Sequence, residues 1–282
     1  MRLSVLASIV SLVALIGLVG CGGGQQITSS GPQDAYEKGM AEYQEGDYER
    51  AVRYFRTVFN YGRGSEWAPK AQLQLAMAQR QRSRHLVAAN EFQRFTQLYR
   101  NHTKVPLAQF EQAKSYYLRS PQYQLDQSDT RQAIELFQLF IDRYPDHNKV
   151  ADAQEMIDEL RAKLARKKYD AAQLYERRDM WRAATEAYRR VFDQYPETPW
   201  ADDALLGALR SYLRYADRSI QNKQAERYQQ ALDQFAQLRQ LFPDSPLLER
   251  ARPLRDEAQR KLERVRKQEQ ESQSIAQEGA SR

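Results

Sequence analysis

Residues 169–196 read YDAAQLYERRDMWRAATEAYRRVFDQYP, and this stretch decides the fold. Ala172 and Tyr175 lie on one helical segment, and Asp179-Met180-Trp181 forms the turn that ends it. The next segment places Ala184 and Tyr188 four residues apart, so both lie on one helical face. The small residue admits a neighbouring helix, and the ring fills the space beside it. Tyr195 comes near the helix end, and Pro196 stops the helix because proline lacks an amide donor and clashes with the preceding turn. The stretch is a helix–turn–helix hairpin.

The same pattern recurs at Ala51/Phe55, Ala88/Phe92, Ala133/Phe137 and Ala231/Phe235. A second aromatic follows each pair, at Tyr61, Tyr99, Tyr144, Tyr195 and Phe242, and Pro145, Pro196 and Pro243 directly follow the last three. Such self-similarity is the mark of stacked repeats. Nothing in the chain alternates with a period of two, and the few prolines fall where helices should end. The expected fold is all-α, a right-handed superhelix (solenoid) of about five hairpin repeats within 34–245, at about 34–62, 67–101, 104–145, 147–196 and 199–243. The key alanines stand 37, 45, 51 and 47 residues apart, so the later helices are longer or carry insertions. One insertion is the polar stretch Ser120 to Ser128, and one helix extends from about Lys149 to Arg177. A charged helix is expected at 246–271, its thin stripe of Leu248, Ala251, Leu254, Ala258, Leu262 and Val265 capping the array. Residues 272–282 are expected to be a disordered tail.

Residues 1–20 read as an export signal: Arg2, then an apolar run from Leu3 to Leu18 too short for a comfortable membrane span. Cys21, the only cysteine, sits behind Leu18-Val19-Gly20 in an arrangement that resembles a bacterial lipobox, so lipid is expected on its thiol and new amino group. Several acyl chains on one residue would hold it firmly, where one chain gives only marginal binding. Gly22, and not aspartate, follows the cysteine, which points to the outer membrane, lipid-anchored and facing the periplasm. The segment 21–33, rich in Gly, Gln and Ser and containing Pro32, reads as a lipidated flexible tether. No cysteine is then left for an internal disulfide, so stability must come from packing, and roughly 240 residues suffice for a sizeable core.

The net charge is +6, of which Arg2 supplies one, so the mature chain is near +5. In an exported lipoprotein this excludes nucleic acid as the natural partner and favours acidic protein surfaces and anionic headgroups. No catalytic constellation stands out. His85, His102 and His147 lie in different repeats without a second metal ligand at helical spacing, and no glycine-rich phosphate loop is present. No catalytic residue, metal site or cofactor is assigned. With 28% charged residues, most carboxylate pairs are solvated helix faces. The basic clusters Arg166-Lys167-Lys168, Arg177-Arg178 and Arg189-Arg190 concentrate in the fourth repeat and together suit an acidic partner. Local chemistry singles out Tyr175, Arg178, Trp181, Arg182, Arg189 and Arg190 for partner binding, and Tyr116, Tyr117 and Tyr123 for a substrate groove.

The repeat pattern resembles the tetratricopeptide repeat, best in the first unit, where Gly39 takes the small position and Gly46-Asp47-Tyr48 the turn. Together with the lipobox, the stretches YEKGMAEYQEGDYERAVRYF (36–55), DTRQAIELFQLFIDRYP (129–145) and 169–196 continuing into YPETPWADDAL (195–205) make the chain similar to the BamD family of outer-membrane assembly lipoproteins. That resemblance implies a non-catalytic scaffold. Its C-terminal repeats would bind the periplasmic domains of a BamA-like barrel protein within a machine of other subunits. Its N-terminal repeats would hold segments of unfolded outer-membrane proteins. The charged helix after Pro246 is longer than that family's pattern, and Arg100 stands where the second repeat's terminal proline should be. The alternative is a periplasmic repeat lipoprotein that coordinates cell-wall synthesis or envelope constriction.

Overall fold

The computed structural model describes residues 27–280 of the 282-residue chain. The export signal, Cys21 and residues 22–26 lie outside the described residues. Among the described residues the chain forms eleven α-helices, a short 3-10 turn and no strand.

Two compact units divide between Phe95 and Thr96. The first contains α1 (Pro32–Glu45), α2 (Tyr48–Val58) with a 3-10 turn at Phe59–Tyr61, α3 (Trp67–Gln81) and most of α4 (His85–Leu98). The second contains α5 (Val105–Arg119), α6 (Ser128–Arg143), α7 (Val150–Arg177), α8 (Trp181–Gln194), α9 (Ala201–Asp217), α10 (Gln221–Leu241) and α11 (Leu247–Ala280). Within the second unit each helix packs chiefly on its chain neighbours, α5 on α6, α6 on α7 and so on to α11, so hairpins stack on hairpins. The alanine of each repeated pair, Ala51, Ala88, Ala133, Ala184 and Ala231, is fully buried. Its aromatic partner is buried as well.

The first core gathers Ala35, Ala51, Val52, Phe55, Val58 and Leu75. Here Gly39 faces the Phe55 ring so closely that a Cβ would sit 2.7 Å from a ring carbon. In the second unit one core gathers Phe110, Phe137, Phe140 and Leu160, and another Tyr169, Ala172, Tyr188 and Ala204. A third joins α9 and α10 to α11 through Leu205, Leu209, Leu213, Phe235, Ala258, Leu262 and Val265.

Three sequence expectations are corrected. Prolines mark helix starts as well as ends: Pro32 and Pro106 occupy the first turns of α1 and α5, where an amide donor is not needed, and Pro253 lies inside α11. The tether is not free along its described part, 27–33. The Tyr61 hydroxyl donates to the Ser29 carbonyl at 2.7 Å, Lys38 Nζ donates to the Thr28 carbonyl at 3.1 Å, and the Ser30 amide donates to Asp34 Oδ2 at 2.8 Å. Composition alone hides such long-range anchors. Of the tail, finally, residues 272–280 are helical, for α11 continues to Ala280. Its Gln, Glu and Ala residues are good helix formers.

Candidate interaction surface on the α7–α8 hairpin

The turn between α7 and α8 is built from Arg178, Asp179 and Met180. Asp179 adopts φ 57°, the left-handed region, which costs less for aspartate than for most residues. The Asp179 amide then donates to the Glu176 carbonyl and the Met180 amide to the Tyr175 carbonyl, each at 3.0 Å. These two bonds satisfy carbonyls left over at the end of α7. Met180 is the N-cap of α8, and no side chain caps that terminus.

A partly buried ionic cluster holds this hairpin to α9. The Tyr188 ring is fully buried, and its hydroxyl donates to Glu176 Oε2 at 2.5 Å. Arg210, reaching over from α9, grips the same carboxylate through Nε and, at 2.8 Å, through Nη2. Burial pushes the Glu176 carboxyl upward, but the hydrogen bonds from Arg210 and Tyr188 outweigh it and hold the group below the usual glutamate range. Burial and the adjacent carboxylate together push the Tyr188 hydroxyl well up, so it stays a donor. Gly207 of α9 lies against this ring, and a Cβ there would stand 2.6 Å from it.

Beside this cluster opens a concavity of about 540 Å³, lined by Asp179, Met180, Trp181, Arg182, Ala183 and Glu186 of the hairpin, by Tyr215 of α9 and by Arg218 just past its end. Met180 is 49% exposed, and no core packing holds it back from solvent. The Trp181 indole N–H is buried yet donates to no acceptor among the described residues. Arg218 sits 5.5 Å from the Trp181 ring centroid and pairs with Asp179 at 3.3 Å. Arg227 lies over Tyr215 at 3.9 Å. An exposed methionine, a tryptophan with a spare donor and flanking arginines give the concavity an apolar floor with charged edges, the kind of surface on which partners dock. Among the described residues no cluster of histidine, cysteine and carboxylate side chains could hold a metal ion, and no helix is long and apolar enough to cross a membrane.

The residues singled out from sequence separate on this frame. Trp181 and Arg182 line the concavity. Tyr175 and Arg178 are exposed on the adjoining end of α7. Arg189 instead lines a smaller hollow of about 280 Å³ with Phe192, Tyr212 and Gln234, where its guanidinium engages the Tyr212 hydroxyl. Arg190 is exposed on the same helix. Sequence reasoning missed Tyr215 and Arg218, which come from the next repeat and carry no local motif.

Part of the basic cluster at 166–168 is occupied within the chain. Lys167 Nζ donates to the carbonyls of Gln124 and Leu125 at 3.1 and 2.6 Å, and Lys163 Nζ donates to Ser120 Oγ at 2.7 Å. Arg166 lies between the Tyr123 and Trp200 rings, at 4.4 and 5.5 Å. These contacts pin the 120–127 insertion to α7. Tyr116 and Tyr117 are half-buried against the Phe110–Phe137 core. The Tyr117 hydroxyl donates to Glu159, which pushes it up to about 12.

The profile of the YfiO family, described as outer membrane lipoprotein, matches residues 29–226. The chain belongs to this family. The matched span includes every residue that lines the α7–α8 concavity and ends inside α10, so most of α10 and all of α11 lie beyond it. Among curated proteins, the outer membrane protein assembly factor BamD of Caulobacter vibrioides is 26% identical over 178 residues, 63% of this chain and 58% of its own length. The protein of the same name from Xylella fastidiosa is 26% identical over 238 residues, covering 80% of this chain and 78% of its own. Among solved structures, a TPR-repeat protein from Bacteroides fragilis is 12% identical, with 82% of this chain and 99% of that one covered at a TM-score of 0.46.

Proposed function

We propose that this YfiO-family chain is a non-catalytic scaffold lipoprotein of the outer-membrane β-barrel assembly machinery, anchored through Cys21 and facing the periplasm. Its α7–α8 surface binds the periplasmic domain of a BamA-like barrel protein, and segments of unfolded barrel proteins are a further client. The observation that carries this reading is the Met180–Trp181–Tyr215 concavity inside the family's matched span. The relatives' shared name, outer membrane protein assembly factor, supports the machine to which it would belong. Exposed apolar side chains and an unpaired indole donor are costly in water and are offset when a partner covers them.

The test is a crosslinked affinity purification of the tagged lipoprotein from detergent-solubilised envelopes, with mass spectrometry of the captured proteins. Recovery of a BamA-like barrel protein, reduced by Trp181→Ala together with Met180→Ser, is the expected result. Recovery of cell-wall synthases without that barrel protein would overturn the reading and leave the alternative of an envelope-constriction scaffold.

A further inference from the structure

The anchors on residues 28–30 set how far the first unit can stand from its lipid. Thr28 and Ser29 are bonded to Lys38 and Tyr61, so the folded body begins at Thr28 and not at Pro32. Seven peptide steps separate Cys21 from Thr28. At ~3.5 Å per residue these span at most about 25 Å, whatever their conformation. The helix α1, 14 residues long, then carries the chain about 21 Å further, to the Gly46 turn.

The end of the unit that holds the leash has a composition of its own. It presents the start of α1, the end of α2, the Tyr61-Gly62-Arg63-Gly64 loop and the start of α3. Tyr61 is 44% exposed, and Arg56, Arg63 and Lys70 are exposed beside it, with Glu66 as the exposed carboxylate of residues 61–70. The Lys70 ammonium lies 4.1 Å from the Trp67 ring centroid, and Trp67 stacks on Tyr36 at 5.3 Å. Tyrosine, tryptophan and flanking cations suit the headgroup layer, where amphipathic rings sit and each nearby cation contributes about 1 kcal/mol against an anionic leaflet. The far end exposes Glu45, Glu49 and Arg84, and its rings, Tyr43 and Tyr48, are half-buried against each other at 5.2 Å.

We propose that the Tyr61–Lys70 end of the first unit lies on the phospholipid headgroups of the leaflet that holds the anchor. The short leash delivers this end to the surface, and its aromatic and cationic residues keep it there. The inference rests on the reading of Cys21 as the lipidated residue.

Cys21 is the only cysteine and lipidation consumes its thiol, so single labels can be introduced in the intact lipoprotein at Gly64→Cys, where a Cβ meets nothing within 4 Å, or at Glu45→Cys. Both sites are exposed, and neither label perturbs the core. The labelled proteins are placed in vesicles of phosphatidylethanolamine and phosphatidylglycerol that also carry a nickel-chelating lipid as headgroup quencher. The expected result is quenching several-fold stronger at 64 than at 45, with the difference reduced by Arg56→Glu and Lys70→Glu. Equal quenching at both positions in a lipidated sample would overturn the docking and leave the anchor intact. An intact mass without acyl groups on Cys21 would overturn the anchor and the docking together.

Discussion

The first and fourth hairpins follow the same plan 133 residues apart, and they diverge at the turn. Tyr36, Phe55 and Trp67 form a ring trio, with Tyr36 at 5.9 Å from Phe55 and 5.3 Å from Trp67. Tyr169, Tyr188 and Trp200 repeat it at 5.6 and 5.2 Å. The turns share backbone geometry too: Asp47 has φ −80°, ψ 71° and Met180 has φ −83°, ψ 62°. In the first hairpin Gly46 takes the left-handed position, and the Asp47 carboxylate accepts the Arg50 amide at 2.9 Å. In the fourth, Asp179 takes the strained position and a methionine stands at the cap with nothing to accept. Below the turn, Tyr43 packs edge-on against Tyr48 at 5.2 Å in the first hairpin, whereas the fourth has Glu176 clamped by Arg210 and Tyr188. The fourth hairpin gives up local stability at the turn and gains an exposed apolar seat; departures from local rules of this kind concentrate at functional sites.

The largest effect that separates the two hairpins should come from Glu176. Glu176→Leu leaves Arg210 and the Tyr188 hydroxyl without their acceptor and should cost about 2–3 kcal/mol by denaturant melts, below a fully buried pair because Arg210 keeps part of its side chain in water. Glu176→Tyr with Arg210→Met and Tyr188→Phe, the residues of the first hairpin at those positions, should restore most of that loss. The pH profile sharpens the contrast. A carboxyl held below its unfolded value contributes stability that is full above the ordinary glutamate pKa of about 4.3 and is lost as the pH falls through the folded value. The triple variant should therefore lose less stability on acidification than the wild type. A profile identical to wild type would show that the cluster does not titrate as described.

Gly207→Ala should cost about 1–3 kcal/mol, because the new methyl meets the Tyr188 ring, which the Glu176 bond prevents from yielding. A loss within error would mean that α9 shifts freely and the clamp is soft. At the caps the signs should oppose. Asp47→Ala should destabilise by about 1 kcal/mol, and Met180→Asp should stabilise by a similar amount, since the backbone at 180 already suits a capping carboxylate. Smallest of all, Asp179→Gly should gain a few tenths of a kcal/mol, relief of the left-handed backbone being partly offset by loss of the exposed pair with Arg218.

Much of this was legible in the sequence. The alanine and aromatic four apart identify the buried face of each second helix, and Gly46-Asp47 is a turn with its cap written out. The ring trios were legible in principle, since Trp67 and Trp200 keep the same 133-residue offset as Tyr36/Tyr169 and Phe55/Tyr188. The Glu176–Arg210 clamp was not, for it joins residues 34 apart on two helices by a pairing that no local period announces. Tyr215 and Arg218 were hidden for the same reason. The bond from Tyr61 to Ser29 also escaped notice, because a Gly-, Gln- and Ser-rich stretch reads as tether until a distant hydroxyl claims its carbonyl. The clusters at 166–168 and 189–190 read as partner surface; that Lys167 also bonds the Leu125 carbonyl and Arg189 the Tyr212 hydroxyl is not visible in a charge run.

The most direct test of the account is to graft the first hairpin's turn onto the fourth, Asp179→Gly with Met180→Asp, and to measure melting and binding to the purified periplasmic domain of the barrel protein on one sample. The account predicts a higher Tm together with binding weakened at least tenfold, which corresponds to about 1.4 kcal/mol. A raised Tm with unchanged affinity would contradict it, because the turn would then be merely suboptimal and not kept open for a partner.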